Sequence, residues 1–196
     1  MARKTSSASA DTKRRLADAA LDQFHLKGYV GTSVQDLVSA AGAPKGTFYN
    51  HFASKEDLAV QTVRRYSEQF GIDALAAPGA GTAMERLHRH FEALVAMGLE
   101  TAAERGCMVA NLAGEVPAHS PAVAAALAEH LETWVAALTA ALDEAKRDGD
   151  LSTKMPSSDL AEFLVNAWQG GAVHAKTTGS PHAVRTFQRM IDFLIR

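Results

Sequence analysis

The clearest structural signal in this chain is the sequence Gly42-Ala43-Pro44-Lys45-Gly46-Thr47-Phe48-Tyr49-Asn50-His51-Phe52. Glycine tolerates positive φ and proline lacks a backbone N–H, so Gly42 and Pro44 end the preceding helix and Pro44 starts a new one. Before them, residues 33–41 carry apolar side chains at the 3.6-residue period of a short amphipathic helix. Two short helices joined by a glycine-containing turn form a helix-turn-helix. The sequence therefore predicts such a motif at about residues 33–52.

The second helix of this motif is predicted over residues 44–52, with one apolar and one polar face. Phe48 and Phe52 are four residues apart and share the inner face. The side chains left outside suit DNA, because a cation, hydroxyls and an imidazole bind phosphates and base edges, and a glycine permits close approach. The alternative is a packed aromatic corner of a plain scaffold. The outward residues are Lys45, Gly46, Thr47, Tyr49 and His51.

Two further helices flank the motif. The first begins at Asp11, carries an apolar stripe and ends at Gly28, with Lys13, Arg14 and Arg15 either near the DNA backbone or simply solvated. The other begins at the N-cap Ser54 and runs to about Phe70. Lys55 in its first turn would bind a phosphate. The predicted apolar stripe of the first helix comprises Leu16, Ala20, Leu21 and Phe24.

Residues 12–66 resemble the DNA-binding domain of the TetR family of bacterial transcriptional regulators. The resemblance rests on Gly28-Tyr29, on Thr32-Ser33, on the stretch from Pro44 to Phe52 and on Ser54-Lys55-Glu56-Asp57-Leu58. It implies an all-α protein with an N-terminal three-helix helix-turn-helix domain and a C-terminal helical domain for ligand binding and dimerisation. The residues that it implies for DNA binding are Thr32, Ser33, Lys45, Gly46, Thr47, Tyr49, Asn50, His51 and Lys55.

The charge distribution agrees with a DNA-binding N-terminal part. The net charge of the 196-residue chain is −2, which excludes a uniformly basic protein. Residues 1–65 hold ten Lys or Arg against six Asp or Glu, a balance of +4, whereas the remaining residues have a balance of −6. The single cysteine and the absence of an apolar run near the roughly 20 residues of a membrane span predict a cytoplasmic protein.

The chain divides into three predicted segments and about nine helices. Residues 1–10 are expected to form a flexible basic arm, residues 11–71 the DNA-binding domain, and residues 72–196 the effector and dimerisation domain. The boundary is placed between residues 71 and 81, where glycines and a proline permit a bend. No strand pattern, cofactor motif or metal-ligand spacing is present, so no cofactor is expected.

The last two predicted helices carry features of a homodimer interface. Small residues in the middle of the first of them permit close backbone approach, and the second has an apolar stripe. Dimeric helix-turn-helix proteins read palindromic half-sites roughly 34–36 Å or more apart. Packing within one subunit is the alternative. The predicted interface residues are Ala167, Gly171, Ala175, Phe187, Ile191 and Leu194.

Residues 105–176 are similar to a TetR subgroup of repressors that respond to electrophilic or unsaturated small molecules, including acrylate-responsive and N-ethylmaleimide-responsive ones. The similarity lies in residues 106–115, 131–134 and 167–172, and Cys107 occupies the position of that subgroup's reactive or pocket cysteine. The alternatives are a plainly buried cysteine and plain aromatic core. The predicted effector pocket comprises Cys107, Phe91, Met97, Trp134, Trp168 and His174.

Together these features predict a repressor that leaves a palindromic operator when a small effector binds. One alternative is a DNA-binding regulator without a small ligand. The other is a cysteine-dependent enzyme, but the sequence holds no nucleophile, phosphate-loop or paired-carboxylate motif.

Overall fold

The computed structural model describes residues 2–44, 46–77 and 81–195, and side chains of the first helix from Ala8 onward. All regular elements in these ranges are helical, which confirms the predicted all-α fold. Nine α-helices and two 3-10 helices are present there. The α-helices are α1 Ala2–Lys27, α2 Val34–Ala40, α3 Lys55–Glu68, α4 Ile72–Ala76, α5 Ala83–Arg105, α6 Met108–Ala113, α7 Pro121–Asp148, α8 Ser157–Thr178 and α9 His182–Leu194, and the 3-10 helices are Phe48–Asn50 and Val116–Ala118.

The chain forms two compact units that are not continuous in sequence. Unit 1 contains residues 1–66 and 111–127, and unit 2 contains residues 67–110 and 128–196. This division differs from the single boundary between residues 71 and 81 that the sequence suggested. It differs because hydrogen bonds join residues 111–120 to the N-terminal helices within unit 1.

Helix ends in unit 1 follow the predicted capping residues. Gly28 stops α1 with φ of +78°. Ser33 caps α2 in a capping box with Asp36, and the Ser54 hydroxyl accepts the Asp57 N–H at 3.0 Å at the start of α3. The predicted stripe of α1 is buried at Leu16, Ala20 and Phe24, whereas Leu21 is half-buried.

Helix α1 takes the place of the flexible arm predicted for residues 1–10. It begins at Ala2. The sequence from there to Asp11 contains neither glycine nor proline, so no residue in it breaks a helix. The Thr12 hydroxyl donates to the Ala8 carbonyl at 3.0 Å, a bond typical of a continuous helical turn.

The second helix of the helix-turn-helix is shorter than predicted. Of the described residues 44 and 46–52, only Phe48–Asn50 form a helix, and it is of the 3-10 type. The Thr47 hydroxyl bonds to the Pro44 carbonyl and so competes with regular α-helical bonding. One further α-type bond, from the Phe52 N–H to the Phe48 carbonyl at 3.0 Å, closes the segment. Residues 44–52 are called the recognition segment below.

Unit 2 is built around α5, which packs against α4, α8 and α9. Thr82 caps α5 in a box with Glu85. The sequence predicts an inner face of Met84, Leu87, Phe91, Leu94 and Val95, and all of these are buried except Met84, which is half-buried. The sequence predicted only a domain boundary between residues 71 and 81 and did not predict α4.

Buried Arg86 joins three parts of unit 2. Its guanidinium donates to the Leu75 carbonyl at 2.9 Å, to the Gly81 carbonyl at 2.8 Å and to the Glu144 carboxylate at 2.6 Å. Each of these partners comes from a different segment, so Arg86 holds α4, the start of α5 and α7 together. A buried guanidinium is tolerated here because acceptors surround it.

Candidate DNA interface and regulatory unit

The recognition segment separates apolar and polar side chains as predicted. Phe48 and Phe52 are buried, with ring centroids 5.8 Å apart. Tyr49 lies against the Phe48 ring at 5.2 Å, yet 68% of it is exposed. A Cβ built on Gly46 meets no atom within 4 Å, so this position faces open space. Among the described residues of the segment, Gly46, Tyr49 and Asn50 thus form an exposed outer surface.

The remaining residues predicted for DNA binding fall into different environments. Asn50 is exposed and His51 is half-buried. The Thr47 hydroxyl bonds to the Pro44 carbonyl, and Ser33 is exposed but bonded to Asp36 as the cap of α2. Lys45 lies outside the described residues.

Thr32 and Lys55 point into unit 1, which corrects their assignment as DNA contacts. Thr32 is fully buried, and its hydroxyl donates to the Gly28 carbonyl at 2.7 Å. The Lys55 ammonium donates to the carbonyls of Tyr29 and Thr32 at 2.9 and 3.0 Å and lies 4.1 Å from the Tyr29 ring centroid. Burial lowers the pKa of Lys55, and the nearby Glu115 carboxylate opposes that shift.

The basic residues of α1 also have internal partners. Arg15 donates to the carbonyls of Ala41 and Gly42 at 2.8 and 3.2 Å, at the end of α2 and in the turn that follows. Arg14 pairs with Asp11 at 2.6 Å, and Lys13 lies 5.7 Å from the centroid of the Phe52 ring. Arg15 therefore positions the turn before the recognition segment, a role that its position in the sequence did not reveal.

Unit 2 contains an aromatic cluster around Trp134. The Trp134 indole N–H donates to Nε2 of His90 at 2.9 Å, so the proton of the neutral His90 ring lies on Nδ1. Phe70 and His130 also contact Trp134, with centroid distances of 5.0 and 5.9 Å. Of these residues only Trp134 was predicted to line the effector pocket, because nothing in the spacing of His90 or His130 predicts such a contact.

His130 is buried without satisfying its hydrogen-bonding groups. Only 5% of it is exposed, and neither ring nitrogen has a hydrogen-bond partner among the described residues. Burial lowers the pKa of His130 and of His90 to about 4, so both rings are neutral at pH 7.

The predicted effector residues do not form a single cluster. Phe187 bridges Phe91 and Trp168, with centroid distances of 6.1 and 5.5 Å, and Trp134 reaches Phe91 through His90. Cys107 is buried, with 2% exposed, and Met97 is half-buried. His174 is exposed on α8, which corrects its assignment to an internal pocket.

The residues predicted for the dimer interface differ in burial, and several of them lie inside the subunit. Ala175, Phe187 and Ile191 are buried inside the subunit, because Phe187 packs on Phe91 and Trp168, and this corrects their assignment to an exposed interface. Gly171 faces α9, since a Cβ there would lie 3.8 Å from the Ala183 carbonyl. Ala167 and Leu194 are half-buried. The exposed apolar side chains of α8 and α9 are instead Phe163, Val173, Met190 and Phe193.

Two clefts of unit 2 open along α9. A cleft of about 160 Å³ lies between α8 and α9 and has an apolar lining that includes Phe163, Ala167 and Met190. Another, of about 250 Å³, lies between α5 and α9, and polar side chains such as His88, Glu92 and Asp192 contribute to its lining. Within the described ranges, no group of His, Cys, Asp and Glu side chains is arranged to hold a metal ion.

Two family profiles match the chain. The profile described as "Bacterial regulatory proteins, tetR family" matches residues 16–62, and the profile "Tetracyclin repressor-like, C-terminal domain" matches residues 83–191. The chain belongs to the TetR family. TetR-family proteins are transcriptional regulators that bind DNA, so this protein is a DNA-binding transcriptional regulator of that family and not an enzyme.

Relatives of this TetR-family chain match over most of its length. It is 30% identical over 166 residues to the repressor DhaR of Mycobacterium sp. (strain GP1), covering 84% of this chain and 82% of DhaR. It is 32% identical over 177 residues to the transcriptional regulator AcuR of Cereibacter sphaeroides, covering 89% of this chain and 80% of AcuR. The resemblance to the family and to its subgroup, drawn from the sequence, is confirmed.

Solved structures share the same fold. A TetR regulatory protein from Rhodobacter sphaeroides superimposes with a TM-score of 0.82 at 29% identity, covering 93% of this chain and 98% of the other. The reduced form of NemR from Escherichia coli also gives a TM-score of 0.82, at 23% identity, with coverages of 95% and 97%. No helix in the described part of this chain has the length and apolar character needed to cross a membrane.

Proposed function

We propose that this TetR-family repressor binds a palindromic operator as a homodimer and releases it when a small electrophilic or unsaturated molecule binds unit 2. Binding to the operator is supported by one observation, the separation of buried apolar and outward-facing polar side chains in the recognition segment. Two buried phenylalanines anchor it, while Tyr49, Asn50 and the open Gly46 face outward. A short segment with a rigid apolar side and a free polar side can enter a major groove without losing its own packing.

The homodimer part rests on the exposed apolar side chains of α8 and α9. Phe163 and Phe193 are 51% and 59% exposed, and Val173 and Met190 are 42% and 44% exposed. Phe163 and Met190 line one apolar cleft between the two helices, and exposed apolar surface is typical of interaction sites on proteins. A second copy of the chain fits best, because an isologous twofold interface presents two recognition segments to the two halves of a palindrome.

The effector part rests on the aromatic interior of unit 2 and on Cys107. Ligand sites in proteins combine apolar and aromatic walls with a few polar groups that fix orientation. Trp134, Trp168 and Phe91 supply such walls, and the unpartnered nitrogens of His130 and Trp168 supply polar groups suited to a carbonyl or carboxylate. Cys107, the one thiol, would add to an activated double bond once it is exposed to the reagent.

A footprint on the DNA that flanks the gene of this protein tests the proposal. The expected result is protection of two symmetric half-sites, which disappears when an unsaturated carbonyl compound or carboxylate is added. Protection that no small molecule alters would favour the alternative, a DNA-binding regulator without a ligand. Protection of a single asymmetric site would contradict the palindrome and the twofold arrangement.

A further inference from the structure

The turn between α2 and the recognition segment is held by α1 as well as by its own backbone. Hydrogen bonds within residues 37–43 end α2, because N–H groups of the turn return to carbonyls of the last helical turn. Gly42 has φ of +56°, the left-handed conformation that glycine favours at such a helix end. The carbonyls of Ala41 and Gly42 accept hydrogen bonds from Arg15, which is 26 and 27 residues away in the sequence. A Cβ on Gly42 would lie 3.6 Å from Nη1 of Arg15, so the guanidinium lies directly against the turn.

Arg15 is also held by residues of its own helix. Its Nε lies 3.2 Å from the Asp11 carboxylate, about one helical turn earlier, and its Nη2 donates to the Thr12 hydroxyl at 3.4 Å. A guanidinium is a rigid plane with five N–H donors, so fixing two of its nitrogens to α1 fixes the direction in which the third points. Arg15 therefore joins α1 to the turn in one defined orientation. All of these residues belong to unit 1.

Arg14 provides a matched comparison, since it carries the same charge one residue earlier on α1. Its guanidinium pairs with the carboxylates of Asp11 at 2.6 Å and Asp18 at 3.6 Å. Among the described residues, these partners of Arg14 both lie on α1. The Arg14 side chain is 66% exposed, whereas that of Arg15 is 39% exposed. Comparing the two arginines separates the contribution of a positive charge from that of the hydrogen bonds to the turn.

The turn leads directly into the recognition segment. Pro44 follows Gly42 after a single residue, and its carbonyl accepts the N–H of Thr47 at 3.0 Å. Because proline fixes φ, the position of the turn determines where the following residues begin. Phe48 and Phe52 are buried further along the segment. The start of the segment is therefore positioned by the turn, and its later part by the two phenylalanines.

We propose that Arg15 is a positioning residue of unit 1, which holds the turn so that the recognition segment meets the operator in a fixed orientation and which binds no phosphate itself. The inference rests on the proposed function, since it takes residues 44–52 as the element that reads DNA. Basic side chains of DNA-binding proteins usually contact phosphates, but three nitrogens of Arg15 are engaged inside unit 1. An orientation that is fixed before binding raises affinity, because less conformational freedom is lost in the complex.

Amide hydrogen exchange on the full-length protein without DNA tests whether Arg15 holds the turn. In Arg15→Met, exchange in residues 41–43 and 46–50 should rise by about tenfold or more, because charge-assisted bonds to two carbonyls are lost and local opening becomes easier. Arg14→Met should leave exchange in these residues within about twofold of the wild type. Unchanged exchange in Arg15→Met would overturn the proposal.

Affinity for the DNA fragment that flanks the gene, compared with affinity for an unrelated duplex of equal length, separates positioning from phosphate contact. Arg15→Met should weaken binding to the flanking fragment by about tenfold or more, because the recognition segment is no longer preorganised. Its affinity for the unrelated duplex should stay within about threefold of the wild type, since non-specific binding depends on phosphate contacts. Arg14→Met should bind both duplexes within about threefold of the wild type.

The salt dependence of the same binding reactions gives the opposing result a clear signature. Arg15→Met should keep the slope of log affinity against log salt that Arg14→Met shows, because neither variant loses a phosphate contact. A slope reduced by about 1 per protomer in Arg15→Met alone, with equal losses of affinity on both duplexes, would show a direct phosphate contact. That result would overturn the positioning role and leave the proposed DNA-binding function intact.

Arg15→Lys decides the question even where Arg15→Met fails to fold, because it keeps the positive charge. An ammonium binds phosphate as a point charge but lacks the planar fork that bonds to α1 and to the turn together. Arg15→Lys should therefore raise exchange in the turn and weaken binding to the flanking fragment by about threefold or more. Wild-type exchange and affinity in Arg15→Lys would overturn the proposal. If the wild type binds the flanking fragment no more tightly than the unrelated duplex, the proposed operator is wrong, and the exchange comparison still decides whether Arg15 holds the turn.

Discussion

Two glycines of unit 2 differ in the space around them, and this difference gives opposite predictions for the same substitution. A Cβ on Gly98 would lie 2.5 Å from the Trp168 ring and 3.1 Å from Val184, whereas a Cβ on Gly170 meets nothing within 4 Å. Gly98→Ala should lower the free energy of unfolding by about 1–3 kcal/mol, because the buried indole must move. Gly170→Ala should raise it by about 0.5–1 kcal/mol through backbone entropy.

Urea unfolding at a fixed protomer concentration measures both variants, since the stability of a dimer depends on concentration. The combined fluorescence of Trp134 and Trp168 should change when the Trp168 ring is displaced. A stable Gly98→Ala protein with an unchanged emission spectrum would contradict the packing described for Trp168.

His90 and His130 predict a loss of stability in mild acid. Their folded-state pKa of about 4 lies below the ordinary value of 6.5, so the unfolded chain binds protons that the folded chain excludes. Their contribution to stability is complete above pH 6.5 and is lost as the pH falls from 6.5 towards 4. Between pH 7 and 5, His130 alone should remove about 1–2 kcal/mol.

His130→Phe isolates this effect, because a phenyl ring keeps the contacts with Phe70 and Trp134 but does not titrate. Its unfolding free energy should fall less between pH 7 and 5 than that of the wild type. Identical pH dependence of the two proteins would show that His130 is not buried in its neutral form.

Individual residue roles were predictable only where the partners are near in sequence. The spacing of Phe48, Tyr49 and Phe52 predicted which side chains lie inside, because one helical turn decides it. The inward turn of Lys55 depends on carbonyls 23 and 26 residues away, and the hydrogen bond from the Tyr29 N–H to the Glu115 carboxylate joins residues 86 apart. No local pattern carries that information.

Among the structural elements, the recognition segment gives a direct prediction about operator binding. Tyr49→Phe and Lys45→Ala should weaken operator binding and leave the fold intact. If Lys45 contacts one phosphate, Lys45→Ala should reduce the slope of log affinity against log salt by about 1. Affinity and slope are measured by fluorescence anisotropy between low and moderate salt, and circular dichroism checks the fold.

Lys55→Met is the matched control for Lys45, because it removes a cation that is bonded inside unit 1. It should lower stability by about 1.5–3 kcal/mol, as expected for lost hydrogen bonds to a charged group, and leave the salt slope unchanged. A slope that falls with Lys55→Met but not with Lys45→Ala would reverse the assignment of the two lysines.

Long elements were predicted from the sequence more reliably than short ones. The sequence predicts helices over about residues 82–104, 121–147 and 157–177, and α5, α7 and α8 begin and end close to these limits. Capping residues and glycine or proline stops flank many turns of periodic pattern in each of them. Helix α4 has five residues, and the 3-10 helix of the recognition segment has three. Helices this short contain too few turns to show a periodic pattern of apolar residues in the sequence. Their conformation depends on tertiary contacts instead.

At the scale of the whole molecule, the homodimer proposal predicts which exposed residues matter. Phe163→Glu and Phe193→Glu should weaken dimerisation by about 2 kcal/mol or more, roughly thirtyfold, because a charge replaces a large apolar contact. Analytical ultracentrifugation should then detect monomer, and palindrome binding should weaken in parallel. Both residues lie on the α8 and α9 surface of unit 2.

Leu26→Glu is the matched control, since Leu26 is 46% exposed and belongs to unit 1. It should remain dimeric. If Leu26→Glu dissociates the protein while Phe163→Glu and Phe193→Glu do not, the interface lies on unit 1 and the proposed twofold arrangement is wrong.

A titration of the operator complex with N-ethylmaleimide tests the proposed effector response, when DNA release and the mass of Cys107 are followed in the same samples. Wild-type protein should leave the DNA in proportion to the fraction of modified Cys107. Cys107→Ser should bind the operator normally and stay bound at the same reagent concentrations. Complete modification of Cys107 with the DNA still bound, or equal release of Cys107→Ser, would contradict the proposal that Cys107 senses the effector.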